Sequence, residues 1–301
     1  MSRKLLYLVN PISGTKNKDK LIRTIHSATR KARLPYEVEN TRADGNYDYL
    51  PLYIEQNKIT DVIICGGDGS VSTVTSYLLN TNVAVGIIPT GSGNGLALTA
   101  RIPNSTKRSL QIIFNGISSY IDGFRINGKF SCMMCGIGND AEIAHEFALT
   151  KVRGLKTYLK LSLMKFFSLK PYPFEIQISG RSFRVDAFFI SVSNSNQFGN
   201  YVTIAPRASL NDGLLDIVVV KKMNRWLLPF ALFNQIAGIN KLSALDEGTS
   251  KKGVYYFQAD ELFIFNKNNA AIHIDGEPQT SAREINLKIL PNAFRLLQPS
   301  R

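Results

Sequence analysis

Over roughly the first 125 residues, short apolar segments alternate with longer polar or amphipathic stretches. The apolar segments predict strands at Lys4–Val9, Tyr36–Glu39, Asp61–Cys65 and Ala84–Ile88. The stretches between them, near 18–33, 44–57 and 69–80, are long enough for helices. Because short buried strands that alternate with helices form parallel sheets covered on both faces, this pattern predicts an α/β domain over residues 1–125.

After residue 125 the pattern changes to short strands joined by turn residues. The predicted strands are Phe130–Cys135, Phe174–Ile178, Ala187–Val192, Leu214–Val220, Tyr255–Ala259, Leu262–Phe265, Ala271–Ile274 and Ile285–Leu290. This spacing is typical of an antiparallel β-sandwich, here with helices inserted near 140–170 and 224–237. We therefore expect a second domain over 126–291, and leave open that the tail 292–301 packs back on the first.

Composition excludes several classes of protein. The chain has 301 residues, of which 44% are hydrophobic and 20% charged, so disorder, collagen and coiled coil are excluded. No apolar run approaches the ~20 residues that span a bilayer. Three cysteines in this length do not form a disulfide scaffold, which favours a reducing compartment.

The charge balance predicts an anionic partner. The chain carries 36 Lys and Arg against 23 Asp and Glu, a net charge of +13. Nucleic acid, nucleotide and acidic membrane all fit such a charge, and so does a surface that lysines merely keep soluble. The charge alone does not choose among them.

Glycine-rich turns follow three predicted strands. Gly66–Ser70 (GGDGS) and Thr90–Gly95 (TGSGNG) each lie between a strand and a helix, and Asn10–Lys16 (NPISGTK) ends the first strand. Glycines let the backbone approach a ligand, and helix N-termini favour phosphate. Tight strand-to-helix turns also use glycine, and neither a Walker loop nor a dinucleotide fingerprint is present. Since carboxyl ends of parallel strands share one edge, we expect a phosphate-rich ligand there.

The same motifs resemble the catalytic superfamily of diacylglycerol kinases and sphingosine kinases. Asn10–Gly14, Gly66–Gly69 and Pro89–Asn94 carry the resemblance in the first half. It continues in Gly136–Ala141, Ala205-Pro206, Asn211–Asp216 and Ile274–Glu277, and so covers nearly the whole chain. The resemblance implies an α/β first domain like those of NAD kinase and phosphofructokinase, which binds ATP, and a β-sandwich that holds the lipid. ATP would lie in the cleft between them.

The resemblance also implies roles for individual residues. Those expected beside ATP are Asn10, Ser13, Gly14, Lys16, Thr41, Arg42, Gly66, Gly67, Gly69, Gly91, Ser92, Asn94 and Asp275. Asp68 is the first choice for the proton acceptor, with Glu277 as the alternative. On a strand, Asp275 and Glu277 would point to one face, where paired carboxylates suit Mg²⁺ or a base; an ordinary hairpin turn with Gly276 at its tip is the alternative.

Two further sites follow from the resemblance. Asp140 and Glu142 would lie near the lipid head group. In the loop Ser209–Leu214, the Asp212 carboxylate would bind a structural Mg²⁺ with backbone carbonyls of Ser209 and Leu214. Without the resemblance, the Asn-Asp-Gly sequence of this loop indicates a simple turn.

A basic stretch offers a membrane contact. Lys151–Lys170 carries six cations and no acids among many apolar residues. It could be an amphipathic helix on an anionic membrane or a helix packed on the sandwich with its lysines in water, and we weigh these equally. Arg225–Phe230 (RWLLPF) is a weaker candidate for the same contact.

Together these features predict a cytoplasmic, peripherally membrane-associated kinase that uses ATP and Mg²⁺ to phosphorylate a lipid hydroxyl. A sphingoid base and diacylglycerol are equally ranked as substrates. The alternatives are an NAD or sugar kinase, which shares the GGDG turn, and a basic nucleic-acid-binding module. We expect a lipid and an anionic membrane surface as partners and no nucleic acid, and leave a homodimer open.

Overall fold

The computed structural model describes residues 3–14, 17–150, 155–197, 203–243 and 253–300. The chain divides into two compact units, of which the first is Met1–Asp122 with Pro291–Arg301 and the second is Gly123–Leu290. The boundaries expected from the sequence lay at 125/126 and 291/292. No helix in the described ranges is both long and apolar enough to cross a membrane.

The first unit is built on parallel strands with helices between them. Its strands are β1 (Leu5–Val9), β2 (Tyr36–Asn40), β3 (Asp61–Gly66) and β4 (Ala84–Pro89). Its helices are α1 (Lys18–Lys31), α2 (Leu50–Asn57), α3 (Asp68–Ser76), α4 (Gly95–Thr99) and α5 (Thr106–Asn115). The strand order is β2-β1-β3-β4, and all three neighbour pairs are parallel. Near the C-terminus, Arg295 and Leu296 pair in parallel with Ala84 and Val85 of β4.

Burial explains why these segments become strands. Every residue of β1, β3 and β4 is buried, as expected for parallel strands covered on both faces. Helix α1 covers one face with Leu21 and Ile25, and the Asn17 side chain caps it by accepting the Lys20 N–H. The parallel α/β domain predicted from the alternating pattern is confirmed.

The second unit is an antiparallel β-sandwich with inserted helices. After β5 (Ile117–Ile126), which begins in the first unit, come β6 (Lys129–Ser131), β7 (Met134–Gly138), α6 (Asn139–Leu149), α7 (Leu155–Phe166), β8 (Tyr172–Ile178), β9 (Arg181–Ser193) and β10 (Leu215–Lys221). A 3₁₀ turn (Arg225–Leu227) leads to α8 (Leu228–Ile236), β11 (Val254–Ala259), β12 (Glu261–Asn266), β13 (Ile272–Ile274), β14 (Glu277–Gln279) and β15 (Glu284–Gln298).

Antiparallel pairing gives the strand order β14-β13-β7-β9-β8-β12-β15, and β10 pairs with both β9 and β11. Residues from most of these strands share one apolar core, among them Ile137, Val192, Ile217 and Ile285. The β-sandwich prediction is confirmed.

Three strand predictions differ from the structure. The single strand expected at Phe130–Cys135 is two strands, β6 and β7, because the chain turns at Cys132 and Met133. The last strand continues well past Leu290 to Gln298. Strand β5 was missed because its first residues, Ile117–Tyr120, mix apolar and polar side chains and are exposed or only partly buried.

Candidate functional site

Three turns of the first unit meet at the carboxyl edge of its parallel sheet. The backbone of Asn10, after β1, donates to Cys65 O on β3 at 2.9 Å. The backbone of Thr90, after β4, donates to Gly66 O at 2.9 Å. The turns that end β1, β3 and β4 are therefore tied side by side, as their sequence positions predicted.

Side chains connect the same turns. Asn10 Nδ2 donates to Ser70 Oγ at 2.9 Å, which links the first turn to helix α3. The hydroxyls of Ser13 and Thr90 are 2.7 Å apart. These bonds hold the rim of the site without using a charged group.

The backbones approach so closely that side chains are excluded at two glycines. A Cβ on Gly91 would lie 2.4 Å from the Cα of Gly67, and a Cβ on Gly14 would lie 1.9 Å from Thr90 O. Gly14 also has a φ of +57°, which glycine adopts without strain. The surface they leave is mostly backbone, next to the N-terminus of α3, which is a favourable place for an anion.

Asp68 links the two glycine turns. Its Oδ2 accepts the Gly95 N–H at 3.0 Å and its Oδ1 accepts the Leu96 N–H at 3.4 Å. The carboxylate therefore caps helix α4, whose first N–H groups have no partner within that helix. In this structure both oxygens of the predicted proton acceptor bind backbone.

Asn94 shapes the second glycine turn from within. It has a φ of +56°, its Oδ1 accepts the Gly91 N–H at 3.0 Å, and its Nδ2 donates to Gly91 O at 2.9 Å. Ser92 is exposed at the tip of the same turn.

Of the two cations expected near the nucleotide, Lys16 and Arg42, the structure describes only Arg42. Lys16 lies outside the described residues. Arg42 is exposed and pairs with Asp44 at 3.3 Å, and this hydrogen bond raises the pKa of Arg42. Thr41 follows β2, where its N–H donates to Val9 O at 2.9 Å.

Lys18 is the cation that sequence reasoning missed. Its Nζ donates to the backbone oxygen of Ser13 and, at 2.9 Å, to Ser13 Oγ. Lys18 is the first residue of helix α1, and its side chain reaches back over the Asn10–Gly14 turn. The sequence does show a lysine just after the helix-capping residue Asn17. The direction in which the Lys18 side chain points, however, depends on where helix α1 begins.

In the second unit, Asp275 and Gly276 form the two-residue turn of the hairpin that joins β13 and β14. Both have positive φ, of 52° and 81°, and Ile274 pairs with Glu277 across the turn. The expectation that Asp275 and Glu277 share one face of a strand is therefore wrong, and the hairpin alternative is what the structure has.

The two acids of this hairpin have different surroundings. Asp275 Oδ1 accepts from Ser131 Oγ at 2.7 Å and from the Met134 N–H at 3.1 Å. Glu277 is exposed, and its carboxylate makes no hydrogen bond or ion pair within the described part of the chain. Of the two, Glu277 is the one with oxygens open to a substrate.

Helix α6 carries the acids expected near the lipid. Asp140 is buried, with Oδ1 accepting the Ala141 N–H at 2.8 Å. Glu142 is half-buried, bonded to the hydroxyl of Tyr172, and paired with Lys165 at 3.0 Å. Burial would raise the pKa of Glu142, but the hydrogen bonds from Tyr172 and Lys165 outweigh it and lower that pKa.

The loop Ser209–Leu214 has the geometry of a turn. Asp212 is exposed, and its Oδ1 accepts the Leu214 N–H at 3.1 Å, while Ser209 Oγ donates to Asn211. Among the described residues, no group of three or more His, Cys, Asp or Glu could hold a metal ion. One oxygen of the Asp212 carboxylate is thus used within the turn, and the Mg²⁺ site expected at Asp212 with the backbone carbonyls of Ser209 and Leu214 stays a prediction.

Comparison with known proteins accounts for both units. The profile of the diacylglycerol kinase catalytic domain matches residues 4–126, and that of the YegS C-terminal NAD kinase beta sandwich-like domain matches residues 134–298. A probable lipid kinase YegS-like protein of Citrobacter koseri is 31% identical over 249 residues, 80% of this chain and 79% of that protein. The chain belongs to the diacylglycerol kinase family of lipid kinases.

Other relatives agree. A diacylglycerol kinase of Bacillus subtilis (strain 168) is 24% identical over 275 residues, 90% of this chain and 88% of that protein. The crystal structure of a diacylglycerol kinase from Bacillus anthracis strain Sterne has the same fold, with a TM-score of 0.74, 20% identity, and coverage of 98% of this chain and 97% of that one. The family resemblance is confirmed, and the protein is a kinase with an alcohol acceptor.

This lipid-kinase family member exposes an apolar surface on its second unit. Several large side chains of α7, the turn just after it, the 3₁₀ turn and α8 are each more than half exposed, namely Leu163, Met164, Phe167, Trp226, Leu227, Phe230 and Phe233. The two segments touch, because the rings of Phe166 and Trp226 are 6.0 Å apart and Arg225 Nη1 donates to Phe167 O at 3.0 Å. We call this set the α7–α8 surface.

Among the described residues beside that surface, one lysine of the basic stretch is held in ion pairs. Lys165 forms ion pairs with Glu142 and Glu146, at 3.0 and 2.9 Å, so it does not face outward as a lone charge. Lys160 and Arg225 are exposed. Residues 151–154 of the basic stretch lie outside the described ranges.

Proposed function

We propose that this protein is an ATP-dependent lipid kinase that transfers the γ-phosphoryl group of ATP to the hydroxyl of a sphingoid base or diacylglycerol. The observation that carries the proposal is the convergence of the Asn10–Gly14, Gly66–Ser70 and Thr90–Gly95 turns at one sheet edge. A kinase family uses ATP, and a backbone-lined edge beside a helix N-terminus suits its phosphates.

Lys18 supports the same placement. Its ammonium is held on the Asn10–Gly14 turn by Ser13, so a positive charge is already oriented where phosphate oxygens would lie. Charge neutralisation of the transferring group is a main requirement of phosphoryl transfer. Mg²⁺, when bound with ATP, would supply further neutralisation of the phosphate oxygens.

For the proton acceptor we now favour Glu277 over Asp68. Asp68 uses both oxygens to hold the Gly95 and Leu96 N–H groups, so it serves the shape of the phosphate site. Glu277 sits on a tight hairpin with an exposed carboxylate, which leaves its oxygens available to take a hydroxyl proton. Asp275, bonded to Ser131 and Met134, fixes that hairpin.

The acceptor lipid is a matter of head-group chemistry. Glu142 could pair with the amine of a sphingoid base, but that amine would have to compete with Lys165 and Tyr172. Diacylglycerol carries no amine and would leave the pair undisturbed. Glu142→Gln should therefore weaken use of a sphingoid base selectively, and equal loss with diacylglycerol would indicate a structural role.

We propose an anionic membrane surface as the place where the lipid is met. Large apolar side chains that are exposed together on one surface mark an interaction site, and an apolar face with flanking cations suits an anionic bilayer interface. Trp226 is 66% exposed beside the exposed Arg225, the combination of aromatic and basic residue found at such interfaces.

A radiolabelled-ATP assay over a panel of lipids tests the proposal. Purified protein is incubated with sphingosine, ceramide, diacylglycerol and NAD, with Mg²⁺ and with chelator, and the labelled product is identified. We expect a labelled lipid phosphate that disappears with chelator. Labelled NAD phosphate with no labelled lipid would overturn the proposal.

A further inference from the structure

His273 is fully buried on β13, two residues before the Asp275–Gly276 turn. The pairing register places it beside Gly136 of β7, which is itself beside Ser191 of β9. Buried polar groups are nearly always partnered, so each nitrogen of this ring should have a specific neighbour. The two nitrogens face two different segments of the second unit.

The Nδ1 atom faces the hairpin turn. The Gly276 N–H donates to it at 3.2 Å, so Nδ1 carries no proton in the neutral ring. The proton of neutral His273 then lies on Nε2, an assignment that follows from the hydrogen-bond network. The ring thereby holds the turn that positions Asp275 and Glu277.

The Nε2 atom faces helix α6. It lies 3.6 Å from Asp140 Oδ2, slightly beyond hydrogen-bond distance, with the N–H facing the carboxylate oxygen in a buried place. Asp140 Oδ1 is already used by the Ala141 N–H, so Oδ2 is the oxygen directed at the ring.

The fold makes room for this contact at Gly136. A Cβ at that position would lie 2.1 Å from Asp140 Oδ2 and 2.4 Å from His273 Nε2. The carboxylate and the imidazole thus occupy the space that a side chain at position 136 would need, so only glycine fits there. The His273–Asp140 pair is therefore a buried part of the sheet packing and not a contact on the protein surface.

We propose that His273 is a positioning residue that joins the hairpin bearing Glu277 to the first turn of α6 bearing Asp140 and Glu142. Nδ1 fixes the turn, and Nε2 fixes the Asp140 side. The roles of Glu277 and of the α6 acids in the reaction rest on the proposed function; the structural link between the two segments does not.

Two substitutions separate the two contacts. In His273→Asn, the amide oxygen can stand where Nδ1 stood and accept from Gly276, but nothing reaches Asp140. In His273→Gln, the amide nitrogen can stand where Nε2 stood and face Asp140, but the Gly276 N–H loses its acceptor. His145→Gln is the matched control, because His145 is a half-buried histidine on α6 whose Nε2 bonds Ile272 O at 2.7 Å and glutamine can keep that bond.

Steady-state kinetics of lipid phosphorylation give the first readout. We expect His273→Asn to raise the KM for lipid about tenfold with kcat nearly unchanged, and His273→Gln to lower kcat about tenfold or more with that KM nearly unchanged. His145→Gln should change neither. If both His273 variants lose kcat and KM together, in proportion to a fall in Tm, the role is structural and the inference is overturned.

Amide hydrogen exchange without substrates gives a readout that does not need turnover. His273→Gln should speed exchange in 272–279 and leave 139–142 unchanged, and His273→Asn should do the reverse. This split in a protein that phosphorylates no lipid would uphold the link and overturn the proposed function. Equal exchange changes in both segments for both variants would overturn the link even in an active lipid kinase.

Discussion

The candidate site of the first unit is lined mainly by backbone atoms, whereas that of the second unit is lined by side chains. In the first unit the site is backbone, brought together where Gly14 and Gly91 leave no room for a side chain. In the second unit it is side chains already bonded to one another, as in Glu142 with Lys165 and Asp275 with Ser131. Backbone N–H groups suit phosphates, which every nucleotide carries, whereas paired side chains can discriminate between lipid heads.

The difference teaches where substrate choice should reside. A phosphate site that is lined by backbone tolerates few substitutions. A side chain added at one of its glycines collides with backbone atoms, which cannot move aside as a flexible side chain can. A site of paired side chains can be retuned by exchanging one partner. We therefore expect changes in the first unit to affect use of ATP with every lipid, and changes in the second unit to affect lipids unequally.

The largest expected effect comes from Glu277→Gln. The substitution removes the exposed carboxylate that would accept the hydroxyl proton, and it disturbs no hydrogen bond of that carboxylate in the described structure. We expect kcat to fall about 10²- to 10⁴-fold, with the KM for ATP and Tm unchanged, measured by the labelled-ATP assay.

Asp68→Asn is the comparison for that result. The asparagine oxygen can still accept from Gly95, so the turn should hold, and we expect a loss of about tenfold with a raised KM for ATP. A larger loss of kcat in Asp68→Asn than in Glu277→Gln would return the proton acceptor to the first unit, as the sequence first suggested.

Gly91→Ala should be next in size. The new methyl group would lie 2.4 Å from the Cα of Gly67, so the two turns must move apart. We expect at least a tenfold rise in the KM for ATP, equal for every lipid, and a stability loss of about 1–3 kcal/mol, measured by kinetics and urea unfolding.

Gly180→Ala controls for the loss of a glycine as such. Gly180 lies in the turn between β8 and β9 with no atom within 4 Å of an added Cβ, although its φ is +74°. It should lower Tm slightly and leave the KM for ATP unchanged. A lipid-dependent effect of Gly91→Ala would break the contrast between the two units.

The sequence predicted the first unit well because its requirements are local. Glycines at strand ends and unbroken apolar strands are visible within a few residues, and β1 to β4 begin and end within about one residue of prediction. Lys18 was missed because the direction of its side chain depends on the start of helix α1.

The second unit was harder to predict because its important contacts are distant in sequence. His273 and Asp140 meet only through the pairing of β13 with β7. Glu142 meets Lys165 only because α6 and α7 pack together. A single sequence carries no signal for such pairs, which is why it identified a lipid kinase without naming the lipid.

A moderate effect is expected at the α7–α8 surface. Trp226→Ala with Phe230→Ala removes two side chains that are 66% and 69% exposed and are not themselves part of the buried core. We expect binding to vesicles containing anionic lipid to fall at least tenfold, measured by co-sedimentation, because each large apolar side chain contributes about 1.5–3 kcal/mol when buried.

Leu52→Ala is the matched control, since Leu52 is 58% exposed on the first unit. It should leave vesicle binding unchanged, and the double variant should keep its turnover of lipid dispersed in detergent. Equal vesicle binding by the double variant and the wild type would remove the α7–α8 surface from the proposal.

The smallest effect concerns buried carboxylates, which the two units handle differently. In the first, Asp61 forms an ion pair with Arg3 at 2.7 Å. In the second, Asp216 is fully buried, and its hydrogen bonds come from two neutral groups, the Tyr256 hydroxyl and the Gln258 amide. Burial raises the pKa of Asp216 from 3.8 to about 6, although both hydrogen bonds work against the shift.

The sign of the effect follows from proton binding. With its raised pKa, folded Asp216 binds a proton more tightly than unfolded Asp216, so its contribution to stability declines as pH rises from about 4 to 6 and is lost above that range. The change amounts to at most about 3 kcal/mol.

Asp216→Asn should remove this slope, so its urea midpoint relative to wild type should be higher at pH 7.5 than at pH 4. Asp260→Asn, at an exposed carboxylate, should parallel wild type. If the urea midpoint of Asp216→Asn also ran parallel to that of the wild type across pH, then burial would not disfavour the ionised form of Asp216, and the contrast with Asp61 would be wrong.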